Sequence, residues 1–549
     1  MHPRSDSFDQ PPSLPPNTSA KRDWRFWLIF LSLTVSFFNT ALELCSVSTA
    51  LPTIVDDLHG TQFVWVGSAY ALAATAFVPL SGSLAEIWGR KPVMLSALIF
   101  FAIGSTICGS ATSLEKYRWL SGISAIQGVG GGGIAALSQI ILSDLVPLHE
   151  RGLFNGMIGL AWSLASGIGP VVGGALAQRG QWRWLFYLNV PFCAVAGLLV
   201  LLFLKLRAPS STLREKWERM DWLGNFIVIA STTSCIIALT WGGVQYPWSS
   251  ARVLVPLILG LVGLFVFIVY ESYVPKYPMI PFSLLSTVTG ASGFLQTFVM
   301  PILLICIVYY LPVYFQACKG ASPVASGVDG FGIAFTVAPS GVIAGITVTI
   351  SRGYRIQLWT GWVIAIIGLA MISTLHADSS RGIAIGFQII AGVGIGIIST
   401  TTYFPVLAPL PVSSNASALA LFTFLRNFAQ VWGLTIGDTI LQNAFSKRLP
   451  DDFTSVFPLG TAIAYSVIPL VSAIEEPLKS EVRVAFADSL CVLWQVLIGV
   501  AGLGLLVSLV MKALPLHTST DKEWGVNDSG SDKSLLAQRS LEKSRESLV

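Results

Sequence analysis

WLFYLNVPFCAVAGLLVLLFL (residues 184–204) runs for 21 residues without an Asp, Glu, Lys or Arg, and it stops at KLRAPSSTLREKWERMD (205–221). At 1.5 Å per residue, a helix of ~20 residues matches the ~30 Å hydrocarbon core of a bilayer. The polar stretch that follows is what a chain needs on re-entering water. Similar runs lie upstream at about 26–50, 63–84, 92–111, 119–143 and 153–177, and downstream at about 222–242, 252–271, 290–316, 329–350, 357–375, 382–406, 416–441 and 489–512. The total is fourteen. The runs are continuous and rich in Gly and Ala rather than ~10-residue segments of alternating polarity, so they read as helices and not as barrel strands.

Composition agrees. Of 549 residues, 53% are hydrophobic and 11% charged, against ~25% charged in soluble chains, and mean hydropathy is +0.70. A soluble protein is excluded. The net charge of +4 is too small and too scattered for a nucleic-acid face. The seven cysteines sit in or beside apolar runs as small hydrophobes, so no disulfide framework is expected. The five histidines fall in tails or turns, so no metal site and no cofactor is expected.

An even number of spans places both termini on one side. Loops and tails on that side carry roughly twenty Lys/Arg, about twice the number opposite, which makes it the cytoplasmic side. Residues 1–25 and 514–549 read as disordered cytoplasmic tails, 205–221 as a cytoplasmic linker, and 442–488 as an external loop. The first apolar run lacks a cleavable signal's short core, so it should direct insertion itself.

Several polar or small residues interrupt the apolar pattern. Glu43, in LELCSVSTALP (42–52), is a carboxylate well inside a span, where charge costs ~2.5 to 3.5 kcal/mol. Either it binds a proton or cation in a cavity, or it is a neutral group bonded to a neighbouring helix. GSLAEIWGRKPVML (82–95) reads as a polar turn in which Gly82 and Gly89 allow close approach. There Glu86 is near enough to Arg90 to pair with it, and Lys91 adds charge, making either a latch or an ordinary positive-inside loop. IQGVGGGGIAAL (126–137) matches G-x-G-x-x-G at Gly128, Gly130 and Gly133, but no strand precedes it, so it reads as a helix-packing face. In SLASGIGPVVGGALA (163–177), Gly169 and Pro170 should bend the helix while Gly173 and Gly174 leave one side bare, for either a rocking or a static contact. Arg426 and Asp438 lie ~18 Å apart along one span, too far to pair; snorkelling toward the ends is the simpler reading of both.

Taken together, GSLAEIWGRK resembles the signature between helices two and three of the major facilitator superfamily, and GIGPVVGG resembles its antiporter signature on helix five. LELCSVSTALP, WRWLFYLNVP (182–191), LTWGGVQYPW (239–248), YYLPVYFQACKGASPVASG (309–327) and LRNFAQVWG (425–433) extend the likeness to the fungal form of the fourteen-helix drug:proton antiporters, over nearly residues 25–513. The resemblance implies an all-α polytopic protein of major facilitator fold. Two six-helix bundles (26–204 and 272–513) would flank an extra helix pair (222–271), around a midplane site that opens alternately to each side. It implies proton-coupled export of small amphipathic toxic compounds or secondary metabolites by a monomer, at the plasma membrane or the vacuolar membrane. Glu43 would couple protons, Gln127 and Arg426 would line the substrate cavity, Gly82, Glu86, Gly89, Arg90 and Lys91 would form the latch, and Gly169, Pro170, Gly173 and Gly174 the kink. Glu43 and Glu86 stand where the family has Asp, and Ser124 stands three residues before Gln127 where it has Arg. The same family includes vacuolar importers of basic amino acids and exporters of metal chelates. A sensor derived from a transporter is the alternative from another class; an enzyme is disfavoured because no Ser/His/Asp grouping or nucleotide loop is present.

Overall fold

The computed structural model describes residues 23–57, 64–110, 117–204, 212–243, 246–280, 282–449 and 474–516, with 464, 467, 468 and 471 besides. The expected tails therefore lie largely outside the described residues, as do part of the 205–221 linker and most of the 442–488 loop. The described chain is helical: α1 (Trp24–Asp57), α2 (Val64–Ala76), α3 (Val78–Trp88), α4 (Arg90–Gly109), α5 (Tyr117–Leu145), α6 (Leu148–Gln178), α7 (Arg183–Phe203), α8 (Leu213–Glu218), α9 (Trp222–Trp241), α10 (Ala251–Tyr273), α11 (Val288–Lys319), α12 (Pro323–Asp329), α13 (Phe331–Ser351), α14 (Arg355–Ile372), α15 (Arg381–Thr401), α16 (Tyr403–Leu407), α17 (Asn415–Ser446) and α18 (Leu478–Leu509). Among the described residues, thirteen spans are long and apolar enough to cross a bilayer, and a fourteenth forms if α2 and α3, bent by 42° at their junction, count as one.

That break has a local cause. Pro79 sits in the first turn of α3, where its missing N–H removes the bond that would have continued α2. Elsewhere polar side chains fix the boundaries. The Asp221 carboxylate accepts from the Gly224 amide (2.9 Å) to start α9, Thr287 accepts from Gly290 (3.1 Å) to start α11, and Thr212 with Glu215 forms a capping box on α8. The seven cysteines are free thiols.

Two expectations need correction. The turn at 82–95 is far shorter than its polarity implied: α3 continues to Trp88 and α4 begins at Arg90, with Gly89 alone between them at φ 98°. Only glycine adopts that angle freely, so one residue reverses the chain. The external loop is also shorter than 442–488. Lys479, Glu481, Arg483 and Asp488 give the start of α18 a polar side, while Val482, Ala485 and Phe486 form a buried helical stripe, with the Phe486 ring centre 4.0 Å from that of Phe445.

The glycine-rich face of α5 packs on α2 and α4: a Cβ on Gly130 would lie 2.5 Å from the Phe101 amide nitrogen. The first seven helices pack among themselves, as do α11 to α18. The two sets meet mainly where α6 lies along α13 and α3 lies along α17. Both chain ends of the bundle lie on one face. There the Trp24 ring meets Phe203, Phe26 meets Phe154, and the Tyr354 hydroxyl donates to the Lys512 carbonyl. This terminal face is closed: Ser417 donates to Glu86 (2.7 Å), Thr349 donates to the His149 carbonyl (2.9 Å), and a Cβ on Gly82 would meet that of Ala420 at 2.5 Å.

Candidate transport site

Glu43 lies in α1 and is 4% exposed. Both of its oxygens are held by amides from other helices. Gln127 of α5 donates to Oε1 (2.9 Å), and Asn189 of α7 donates to Oε2 (2.5 Å). The same two amides also donate to the Ser105 hydroxyl of α4, at 2.8 and 3.2 Å. Asn39, one turn before Glu43, reaches the Asn189 carbonyl and the Cys193 sulfur at 3.4 Å each. Four helices thus converge on one carboxylate, and among the described residues it has no ion-pair partner. An ionised carboxylate accepts only, and two N–H donors suit that form. A protonated one must donate, which requires one amide to turn or the side chain to swing away.

Ser124 lies one turn from Gln127 on α5 and is buried, its hydroxyl 3.8 Å from the sulfur of Cys108, which in turn is one turn from Ser105. A cation at position 124 would therefore stand one helical turn from the Glu43 cage.

The residues expected to form a latch gather at the terminal face, where their hydrogen bonds run to other partners. Arg90, 3% exposed, donates to Asp144 of α5 at 3.0 Å and to the Ala85 carbonyl, while Glu86 accepts from Ser417 across the interface. The short turn explains this: with Gly89 as the only linker, Arg90 begins α4 and is directed at α5. Lys91 donates to the Leu201 carbonyl at 2.7 Å. Close behind, Arg151 is buried on the carbonyls of Ser143 and Val146, both at 2.6 Å.

On α6 the helix runs unbroken through Pro170. It comes close to α1 at Gly169, where a Cβ would be 2.8 Å from the Cys45 Cβ. Gly173 is buried, and Gly174 has room, with Val324 at 3.9 Å. Arg426 and Gln127, expected to line one cavity, have separate hydrogen-bond partners. Arg426 reaches from α17 to the Ser399 carbonyl of α15 (3.3 Å), and Asp438 accepts from Gln442 (3.5 Å). A groove of about 420 Å³ among α13, α14 and α15 includes none of these residues.

Reading the sequence did not pick out Ser105, Asp144, Asn189 or Ser417. Asn189 had a signal: it is a lone amide in the uncharged run 184–204, where a polar group needs a partner. Asp144, a carboxylate closing a long apolar helix, had a similar one.

Comparison with known proteins gives this architecture its family. The profile of the Major Facilitator Superfamily matches residues 26–434. The chain is 39% identical over 537 residues to the MFS-type efflux pump LUC4 of Fusarium sp, covering 96% of this chain and 94% of that one. It is 37% identical over 531 residues to the MFS-type efflux pump MMF1 of Pseudozyma antarctica, covering 95% and 97%. Among solved structures, the human organic anion transporter MFSD10 superposes with a TM-score of 0.56 at 14% identity, covering 88% of this chain and 99% of that one, and the proton:xylose symporter XylE superposes with the same score and identity, covering 90% and 98%. With thirteen to fourteen apolar spans and a buried carboxylate cage between its helices, the chain belongs to the major facilitator superfamily of membrane transporters.

Proposed function

We propose that the protein exports small amphipathic toxic compounds or secondary metabolites in exchange for protons. The observation that carries this reading is Glu43, a titratable group in mid-span with two amide partners and no ion-pair partner among the described residues. Its relatives' names, efflux pumps of fungal origin, support the direction of transport. Residues 26–204 and 272–513 act as the two halves, and the pair at 222–271 stands outside their cycle. The positive-inside bias makes the terminal face cytoplasmic, so the conformer described is sealed toward the cytoplasm; the plasma membrane is the site of action.

In the cycle, a proton reaching Glu43 from outside leaves one carboxyl oxygen facing an amide donor that it no longer needs. Turning that amide disturbs α5 or α7, and α5 also holds Asp144, the partner of Arg90. The terminal face is thereby released, substrate enters from the cytoplasm, and deprotonation restores the cage. A gradient of one pH unit supplies ~1.4 kcal/mol per proton, and each 100 mV adds ~2.3 kcal/mol per charge.

The test is flux of a toxic test compound in proteoliposomes under imposed pH gradients. Flux that follows the gradient's size and sign is expected. Flux indifferent to the gradient would sink the coupled reading and leave a facilitator.

A further inference from the structure

Arg426 is a cation deep in a membrane-spanning helix. It begins the fourth turn of α17, ~16 Å of helix from Asn415 and ~30 Å from Ser446, so an arginine side chain reaches neither end. Snorkelling is therefore not available to it. The guanidinium has five N–H donors. Its protein partners among the described residues are the Ser399 carbonyl at 3.3 Å and the face of the Phe422 ring, 5.4 Å from the central carbon. The two fully buried arginines are better matched, Arg90 by Asp144 and Arg151 by two carbonyls at 2.6 Å, and the more exposed Arg381 has Asp329. Asp438 is ~18 Å away along the same helix and does not neutralise it.

Its position is equally informative. The next residue, Asn427, crosses to the Ala74 carbonyl of α2 (3.3 Å), so this level of α17 faces the other half of the molecule. One turn further along the face of Arg426 lies half-buried Gln430, whose side chain makes no hydrogen bond to a described residue. A half-buried cation inside a span without a counter-ion is costly, and the cost falls when a ligand brings the charge.

Resting on the export reading above, we propose that Arg426, assisted by Gln430, is the anion-recognition site of the cavity and that the preferred substrates are amphipathic organic carboxylates. The planar guanidinium fork takes a carboxylate through two parallel N–H bonds, while the Phe422 ring leaves an apolar wall for the rest of the molecule.

The experiment uses the purified full chain in detergent, titrated with dansylglycine and with its uncharged methyl ester, which share one fluorophore. Wild type is expected to bind the acid at least about tenfold more tightly than the ester. Arg426→Gln should remove that preference by bringing acid binding down to the level of the ester, whereas Arg426→Lys should keep much of it; the melting temperature of each variant reports folding. Equal binding of acid and ester by the wild type, which needs no variant, overturns the proposal, as does an acid preference that survives in Arg426→Gln or binding of neither probe. No gradient is involved. An acid preference without gradient-driven flux would sink proton coupling alone, and coupled flux with no acid preference would sink the anion site alone.

Discussion

Replacing Gly82 by Ala should hold the terminal face open. The added Cβ would lie 2.5 Å from the Cβ of Ala420 on the opposite half, whereas non-bonded carbons settle at ~3.5 to 4 Å. Helices α3 and α17 must then separate by on the order of 1 Å, and overpacking of this kind costs ~1 to 3 kcal/mol. The clash exists only while the face is closed, so the equilibrium between closed and open forms shifts about 5- to 150-fold toward open. Spin-label distances between the terminal ends of α4 and α17 would report the shift directly, and flux would fall because the cycle dwells in one state. Ala420→Gly in the same chain removes the opposing carbon and should restore both readings, since the two changes share one contact. Unchanged distances and flux in Gly82→Ala, or a double variant no better than the single, would refute the assignment of this contact as the gate.

Glu43→Gln keeps the size of the side chain and imitates the protonated form, with one neighbouring amide turned to accept, but cannot titrate, so the protein should insert and fold while losing gradient-driven accumulation in vesicles; retained accumulation would move coupling to another group. Ser124→Arg sets a cation one helical turn from the cage and should shift the pH profile of flux toward acid, because a nearby positive charge favours the carboxylate form; a profile unmoved or shifted toward base counts against the cage as the coupling site. On α6, Gly169→Val should stall transport, since its Cβ would press on Cys45 at 2.8 Å, whereas Gly174→Val, with 3.9 Å to Val324, should retain activity; the reverse order of damage would contradict the packing described.

Much of this was open to inspection in the linear chain because the bilayer enforces it. Each span must be ~20 residues and apolar, which located the helices, and a carboxylate in such a span is conspicuous, which located Glu43. Pairings were less legible. Arg90 stands four residues from Glu86 yet bonds to Asp144, which is distant in sequence and adjacent only once α4 and α5 pack. Asn189 and Ser105 are uncharged and pass as tolerated polar residues until four helices bring them into one network, Asn189 on the carboxylate and Ser105 on the two amides that hold it. Hydropathy also failed where a helix is amphipathic, as at Leu478–Asp488, because four charges outweighed a buried stripe that only periodicity reveals.

The single-residue turn at Gly89 has a mechanical consequence. A loop of ten residues would absorb motion of α3 as slack, but α3 and α4 joined at one glycine act as a bent crank, one arm gripping α17 and the other bolted through Arg90 to Asp144. From there α5 runs as a stiff rod for ~25 Å to Gln127. On the proposed reading, gate and carboxylate are geared together with little play, and the stroke at one end is set by the stroke at the other. Splicing a few flexible residues in at Gly89 would leave both parts intact and strip the gear between them, uncoupling proton movement from opening without altering a single group that touches either.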